Sequence, residues 1–464
     1  MQCRDWSANL AAAGAFVAAL LAAAGGTYAA EPPALPRKDS VPRLLRAIEF
    51  GDYGSAVVRF GDLNGDGQIE ALVVQEDASG GQDQIVVTCL TAIDLEGKIL
   101  WQVGKPDRRN VWTGGDTPIQ IHDIDGDGQA EVIYQDPKSL LTILDGKTGK
   151  LKRQVQLAGG HDCLLFADLT GSGRAQQLVV KDRYSNFWVY DAAQDFKLLW
   201  SKAKVITGHY PINFDFNGDG KDELLVGYRL YAPDGTVLWS HDEFPSNREG
   251  HNDAVDVKDM DGDGRAEIAL ATSADAVLLD AAGKILFRKP MHHTQHAMIG
   301  RFRPDLPGRQ AFYISREDAA PGTRATALEA LYTKSGELLW DNTKQKDADK
   351  DGVLTQAVVV ENWTGNPNEN FLALNRRGNG PPVLLDGWGR EVAVFPFPPR
   401  AAEPAGGRGP RDLYTGYYIK HIDCYGDERE EILVYDENRL CIYTNAAFRE
   451  KVELYNDTIY NGRK

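Results

Sequence analysis

The segment Asp259-Met-Asp261-Gly-Asp263-Gly-Arg-Ala-Glu267 sets oxygen side chains at alternate positions and places a glycine after the third acid. That spacing turns carboxylates to one side of a tight loop around a hard cation, and the glycine permits the sharp turn. The phrase recurs as Asp62-Leu-Asn64-Gly-Asp66 with Glu70, as Asp123-Ile-Asp125-Gly-Asp127 with Glu131, and as Asp215-Phe-Asn217-Gly-Asp219 with Glu223. Asp347-Ala-Asp349-Lys-Asp351-Gly repeats the alternation once more. These acids and amides form the expected Ca2+ ligand set, a structural one at several sites. The competing reading is a set of turn residues bonded to their own backbone.

A second group is built from imidazoles. His161, His209, His251 and the trio His292, His293 and His296 stand just ahead of apolar runs, and they are six of nine histidines in the chain. Any one of them could cap a turn; an arc of them suggests acid–base chemistry or a metal. No His-x-His or carboxylate-flanked spacing is expected to fix a local ligand pair, so acid–base or substrate-binding roles are expected over zinc or manganese. Basic and aromatic residues share the connecting loops: Lys105, Arg108, Arg109, Trp112, Arg183, Tyr184, Arg316, Arg324, Arg376 and Arg377. Most of these read individually as solvated loop charge; together they suit a polyanionic sugar, with arginine on carboxylates and aromatic rings on sugar faces.

Repetition determines what must position these groups. Worn copies of the acid phrase begin at Asp168, Gly300, Glu361 and Asp423, which makes eight copies at intervals of roughly 40 to 60 residues, a repeat architecture. Between them runs a hairpin phrase, as in Asp94-Leu-Glu-Gly97-Lys-Ile-Leu-Trp101 and Asp280-Ala-Ala-Gly283-Lys-Ile-Leu-Phe287. Strand, acid loop, strand, loop, strand, glycine hairpin and strand make a four-stranded blade. The expected fold is all-β: an eight-bladed propeller of antiparallel blades over 44–464, with Leu44–Phe50 pairing with the last blade. Acid loops and glycine hairpins share the bottom face. The histidines and basic loops share the top, with the Pro396–Pro410 run as a flap.

Residues 1–30 carry a charged start, a short apolar centre and a small-residue exit, and read as a cleaved signal peptide; 31–43 form an N-terminal extension. The expected location is secreted or periplasmic, without a membrane span, as a monomer. A net charge of -16 argues against nucleic-acid partners. Cys89, Cys163, Cys424 and Cys441 match no disulfide framework; a Cys424–Cys441 pair and free buried thiols stand as alternatives.

The acid phrase is similar to the repeats of integrin-like (FG-GAP type) calcium propellers. Two segments resemble rhamnogalacturonan lyases of polysaccharide lyase family 11 more specifically. His293-Thr-Gln-His-Ala-Met-Ile-Gly300-Arg-Phe-Arg-Pro304-Asp-Leu-Pro307-Gly308 looks like that family's His-rich lead-in to Gly-Asp-Phe-Asp-Pro-Asp-x-Pro-Gly. Gly426-Asp-Glu-Arg-Glu430-Glu-Ile-Leu, followed by Leu440-Cys-Ile-Tyr-Thr444, looks like its last blade. The resemblance implies a calcium-dependent ring that cleaves the rhamnose–galacturonate bond by β-elimination. The departures are an N-terminal β-domain without a counterpart in 31–43, Arg301, Arg303 and Gln310 in place of acids, and Met298 in place of a histidine.

Elimination needs a neutraliser for the uronate carboxylate, a base for the adjacent C–H and an acid for the departing oxygen. His251 or His293 is the expected base, with His209 beside them, Tyr210 the acid, and Arg316 or calcium the neutraliser. Lys105, Arg108, Trp112, His161, Tyr184, Arg316 and Arg376 are the expected substrate contacts. The expected function is therefore a secreted lyase acting on an acidic polysaccharide. A non-catalytic calcium-stabilised propeller that binds polysaccharide or protein at the cell surface is the alternative, and a histidine-ligated metal enzyme a third reading.

Overall fold

The computed structural model describes residues 32–35, 37–77, 79–81, 84–110, 117–245, 251–291, 293–316, 327–342, 356–375, 381–397 and 418–445. Strand follows strand in eight four-stranded antiparallel sheets. The chain divides into Met1–Leu35, whose described residues carry no strand, and the propeller unit Pro36–Lys464.

In each blade the second strand is packed on both faces by neighbouring blades, which is why its residues form an unbroken apolar run rather than an alternating one. Glu267-Ile-Ala-Leu-Ala271 is buried throughout, whereas the outermost strand of blade 2, Leu151–Gln156, is largely exposed. Eight clusters of buried side chains are found among the described residues, each shared by two adjacent blades. The one that joins Val58 and Ala71 of blade 1 to Leu433 and Ile442 of blade 8 closes the ring. Closure is reinforced as expected: Arg43–Glu49 pairs antiparallel with Arg439–Thr444, Ala47 opposite Cys441, and so supplies the outer strand of the last blade. Upstream of that strand, the buried Arg37 guanidinium bonds Glu369 and Asp39, and Trp363 Nε1 donates to Ser40 O at 3.0 Å, so the lead-in is strapped to blade 7.

The hairpin phrase latches blade to blade. Trp101 of blade 1 donates Nε1–H to Gly146 O of blade 2 at 2.7 Å, and its ring covers Gly149, where a Cβ would come within 2.6 Å. Trp239 lies on Gly283 of the next blade in the same way, with 2.7 Å to a hypothetical Cβ. The glycine at that turn is therefore required twice, by its positive φ of 81° and by the indole above it.

At the bottom face, in every blade but the seventh, the residue that opens the second strand reaches back into its own loop. Leu63, Ile124, Phe216, Met260 and Cys424 donate backbone N–H to Glu70, Glu131, Glu223, Glu267 and Glu431 at 2.7 to 3.0 Å. Gln177 and Gln310 receive the same bond from Leu169 and Arg303 at 2.9 and 2.8 Å. Glutamate at this position thus has a stapling job that glutamine also does, and Gln310 is a working substitute in blade 6. The four cysteines among the described residues, Cys89, Cys163, Cys424 and Cys441, are free and buried, so Cys424 and Cys441 are not paired.

Candidate functional site

The top face gathers side chains from four consecutive blades around Asp253. This aspartate ends the lead-in to the inner strand Ala254–Lys258 of blade 5 and is buried. His209 Nε2 of blade 4 lies 3.6 Å from Asp253 Oδ1, His251 Nε2 of blade 5 lies 3.5 Å from the same oxygen, and His293 Nε2 of blade 6 lies 3.7 Å from Oδ2. Tyr184 of blade 3 completes the group: its ring centroid is 4.5 Å from that of His251, and its hydroxyl is 3.4 Å from His209 Nε2.

Local structure explains the convergence. Gly208 has φ +66°, and a Cβ there would meet Asn252 O at 2.6 Å; without one, the two lead-in loops touch and His209 N donates to Asn252 O at 3.0 Å. Ser273, itself at φ 59°, accepts the His251 N–H at 3.1 Å and rests its hydroxyl against the Asp253 carboxylate. The inner strand of blade 6 opens with a bulge between Thr294 and His296, so that His293 and Gln295 both face blade 5. Gln295 Nε2 donates to Asp253 Oδ1 at 2.9 Å. Behind Tyr184, fully buried Lys181 pairs with Asp162, Arg183 Nη1 stands 3.4 Å from Asp162 Oδ1, and the Arg183 guanidinium lies 5.2 Å from the Tyr184 ring centre.

His251 is the most enclosed of the imidazoles, 5% exposed, and neither ring nitrogen makes a hydrogen bond. Burial, reinforced by His209, His293, Arg183 and Lys181, pushes its pKa down to about 3. A neutral imidazole with two open nitrogens beside a carboxylate is a ligand or a proton acceptor. The Nε2–carboxylate separations are too long for hydrogen bonds, yet ligand atoms of His209, His251 and Asp253 all lie within 4.8 Å of one another. That nitrogen and oxygen donor set fits a divalent cation. The expectation that no local spacing offers a ligand pair is corrected here: His251-x-Asp253 is such a spacing, and Asp253 was missed although it sits two residues beyond a singled-out histidine.

The remaining expected site residues divide sharply. His209, His251, His293 and Tyr184 belong to the cluster. Tyr210 is 53% exposed with its ring 6.1 Å from that of His209, on the rim rather than within the group. His161 donates its backbone N–H to Lys181 O at 3.1 Å, behind the cluster. Arg108 is occupied by Gly51 O at 2.5 Å and by Asn438, which makes it a structural tie between loops, whereas exposed Arg109 pairs with Asp107 of its own loop. Lys105 is exposed beyond the outer strand of blade 1. Trp112, His292, Arg324, Arg376, Arg377, the Asp347–Asp349–Asp351 run, the side chain of Arg316 and nearly all of the 396–410 run lie outside the described residues.

On the bottom face the four good acid loops are formed. Asp62 Oδ1 accepts Gly65 N at 2.7 Å and Asp259 Oδ1 accepts Gly262 N at 2.7 Å, with equivalent bonds at Asp123 and Asp215. In blades 2 and 5 a lysine ammonium also enters: Lys152 reaches Asp125 and Glu131, and Lys334 reaches Asp261 and Glu267.

Fold and site together define an eight-bladed propeller with a histidine–carboxylate cluster at one mouth. Among known proteins, residues 240–371 match the family described as Rhamnogalacturonan lyase family 11, C-terminal domain, a span that holds His251, Asp253 and His293. The chain is 25% identical over 463 aligned residues to rhamnogalacturonan endolyase YesW of Bacillus subtilis, covering 88% of this chain and 70% of that protein. It is 25% identical over 309 residues to rhamnogalacturonan exolyase YesX of the same organism, covering 62% of this chain and only 48% of that one. The crystal structure of YesW superposes with a TM-score of 0.57 at 20% identity over 84% of this chain and 72% of YesW. The V. cholerae biofilm matrix protein Bap1 superposes with a TM-score of 0.54 at 14% identity over 90% of both chains, a likeness of fold. The chain is thus a relative of polysaccharide lyases.

Proposed function

We propose that this chain is a polysaccharide lyase that cleaves a galacturonate-containing, rhamnogalacturonan-like polymer by β-elimination at the top face. The carrying observation is the convergence of His209, His251 and His293 on Asp253, within a chain related to two rhamnogalacturonan lyases. The substrate class, the exported location through residues 1–30 and the monomeric state belong to this reading.

The reaction removes the proton beside the uronate carboxylate and expels the oxygen on the next carbon, leaving a carbon–carbon double bond. His293, whose side chain is 20% exposed, can reach a bound sugar and accept that proton; His251 is too enclosed. The Tyr184 hydroxyl, in contact with His209 and with Arg183 against its ring, is the group this reading assigns to protonate the departing oxygen. A divalent ion held by His209, His251 and Asp253 would supply positive charge for the uronate carboxylate. Gln295 and Ser273 hold Asp253 in position through their bonds to its two oxygens. Exposed Tyr210 offers an aromatic surface at the rim. Structural calcium in the loops of Asp62, Asp123, Asp215 and Asp259 is part of the same reading.

Incubation with rhamnogalacturonan and with homogalacturonan, followed by ultraviolet absorbance of the unsaturated uronate, tests it. Hydrolysis leaves no such chromophore. Tight binding of pectic polymers with no absorbance would replace the lyase by a non-catalytic binding propeller.

A further inference from the structure

In a propeller the inner strand of each blade lines the central channel. One register position can be followed around it: the inner-strand residue opposite the third residue of the second strand. Arg59 holds that position in blade 1, Gln120 in blade 2, Asp256 in blade 5 and Lys420 in blade 8. The other four blades carry apolar side chains there. Three of the polar members reach forward to the backbone of the next blade. Arg59 Nε donates to Ile119 O of blade 2 at 3.2 Å, and Gln120 Nε2 to Leu164 O of blade 3 at 3.1 Å. Asp256 Oδ2 accepts the Ile299 N–H of blade 6 at 2.7 Å.

Lys420 is the exception. Blade 1 follows blade 8 in the closed ring, and the ammonium stands within electrostatic reach of Arg59. Among the described residues it makes no hydrogen bond and no ion pair. The side chain stays open to the channel while protein surrounds it, and that burial, with Arg59 beside it, pushes its pKa down to about 8. Arg59 bonds only carbonyl oxygens, those of Val58, Ile119 and Thr117, which leave its charge uncompensated. Those bonds use one N–H on each of its three nitrogens, so the outer edge of the guanidinium keeps donors to spare, as does the ammonium. No acid in the surroundings answers the two cations. Glu76, within reach of Arg59, is buried with its pKa pushed up to about 8, and Asp256 stands across the ring, held by backbone N–H groups. The neighbouring phenols, Tyr418 and Tyr435, stack with ring centres 5.5 Å apart, and burial keeps Tyr435 protonated.

We propose that Arg59 and Lys420 form a binding site for a small oxyanion, a carboxylate or a phosphate, in the channel between blades 8 and 1. Two neighbouring cations without a counter-charge destabilise each other inside protein, and an oxyanion relieves both at once. Its oxygens accept from the guanidinium edge and from the ammonium as charge-assisted hydrogen bonds. The site is separate from the histidine cluster. Asp253 precedes Asp256 by three residues in blade 5, roughly 10 Å along an extended strand, so the pair lies deeper in the channel. Two sources share the required chemistry, a free inorganic anion and the carboxylate of a uronate. The assignment does not rest on the lyase reading.

Acylation of lysines in the folded full chain, read residue by residue by mass spectrometry at constant ionic strength, tests the assignment. The probes are inorganic phosphate, galacturonate and the neutral sugar rhamnose. At ten times its Kd, phosphate is expected to slow labelling of Lys420 about tenfold, while exposed Lys197 on the outer strand of blade 3 labels as before. Rhamnose should protect neither. Protection by galacturonate as well as phosphate supports the site and points to a uronate; protection by phosphate alone supports it with an inorganic anion as ligand. Protection of Lys420 by neither anion, or equal slowing at Lys197, overturns the proposal. Arg59→Gln should abolish the protection, and protection retained in that variant also overturns it. Should Arg59→Gln not fold, the wild-type footprint decides alone. Protection in a chain that yields no unsaturated product leaves the site standing and removes only the lyase reading; product without protection does the reverse.

Discussion

At the bottom of the ring one bond is made over and over: the backbone N–H of Leu63, Ile124, Leu169, Phe216, Met260, Arg303 and Cys424 goes to a glutamate or glutamine at the start of the next strand. At the top no two lead-in loops do the same work. Blade 3 contributes Tyr184 on a buried Lys181–Asp162 pair, blade 4 a histidine against a glycine contact, blade 5 a histidine and an aspartate, and blade 6 a histidine and a glutamine from a bulge. The bottom face repeats because its task, joining two strands and latching the next blade, is local and identical in each blade. The top face differs because its groups meet one another rather than their own blade, so each loop is shaped by its neighbours. Function usually sits where such a rigid scaffold lets dissimilar loops converge.

The contrast predicts that changes at the two faces separate chemistry from stability. Asp253→Asn keeps the shape of the side chain but removes the charge that the three imidazoles share. It is expected to cut formation of the unsaturated product by about 10³-fold while shifting the melting temperature little. A melt that collapses with the activity would make Asp253 a structural residue and break the comparison.

The converse is Trp101→Ala. Removing an indole that is 8% exposed and bonded to the next blade should cost about 3–5 kcal/mol of stability. Product formation per folded molecule should be unchanged at a temperature where the variant is folded. A specific loss of turnover would show that latch and site are coupled.

The top face also holds a buried acid that the bottom face would have satisfied. Glu76, at the upper end of the second strand of blade 1, is 1% exposed and makes no ion pair among the described residues. Burial pushes its pKa up to about 8 from 4.5, with Thr117 and Arg59 holding it down. Between those values the folded chain keeps a proton that the unfolded chain releases. Stability is therefore present at low pH and lost as pH rises from about 4.5 to about 8. Glu76→Gln should flatten that slope, a difference of a few kcal/mol at the alkaline end seen in melts across the range. An unchanged slope would mean that Glu76 is ionised and paired in the folded state.

Glu223→Gln should have the smallest effect. If the stapling bond to Phe216 N is the main task of this side chain, glutamine replaces it as it does at Gln177 and Gln310, at a cost below about 1 kcal/mol. A larger loss, recovered by added calcium in the wild type alone, would show that the negative charge matters and sharpen Glu223 as a ligand.

What could be read from sequence follows this division between local and convergent structure. The acid phrase and the glycine hairpin each record a local requirement: a tight turn with positive φ, a strand buried on both faces, an indole over a glycine. A local requirement stamped on each blade leaves a periodic trace, so the eight blades, the closing strand and the arc of histidines were all legible before any coordinates. Distance in the chain was the limit. Asp253 draws in His209 and His293, at least 40 residues away on either side, and one aspartate among many acids carries no mark of that role. No sequence pattern marks Lys152 and Lys334, whose ammonium groups the fold sets on loop carboxylates. Arg108 reads as a substrate contact until the fold ties it to Gly51 O and Asn438 of neighbouring loops. Periodicity is a property of one blade copied along the chain, and the sequence determined it. Which charges meet depends on the closure of the ring, which only the tertiary structure decides.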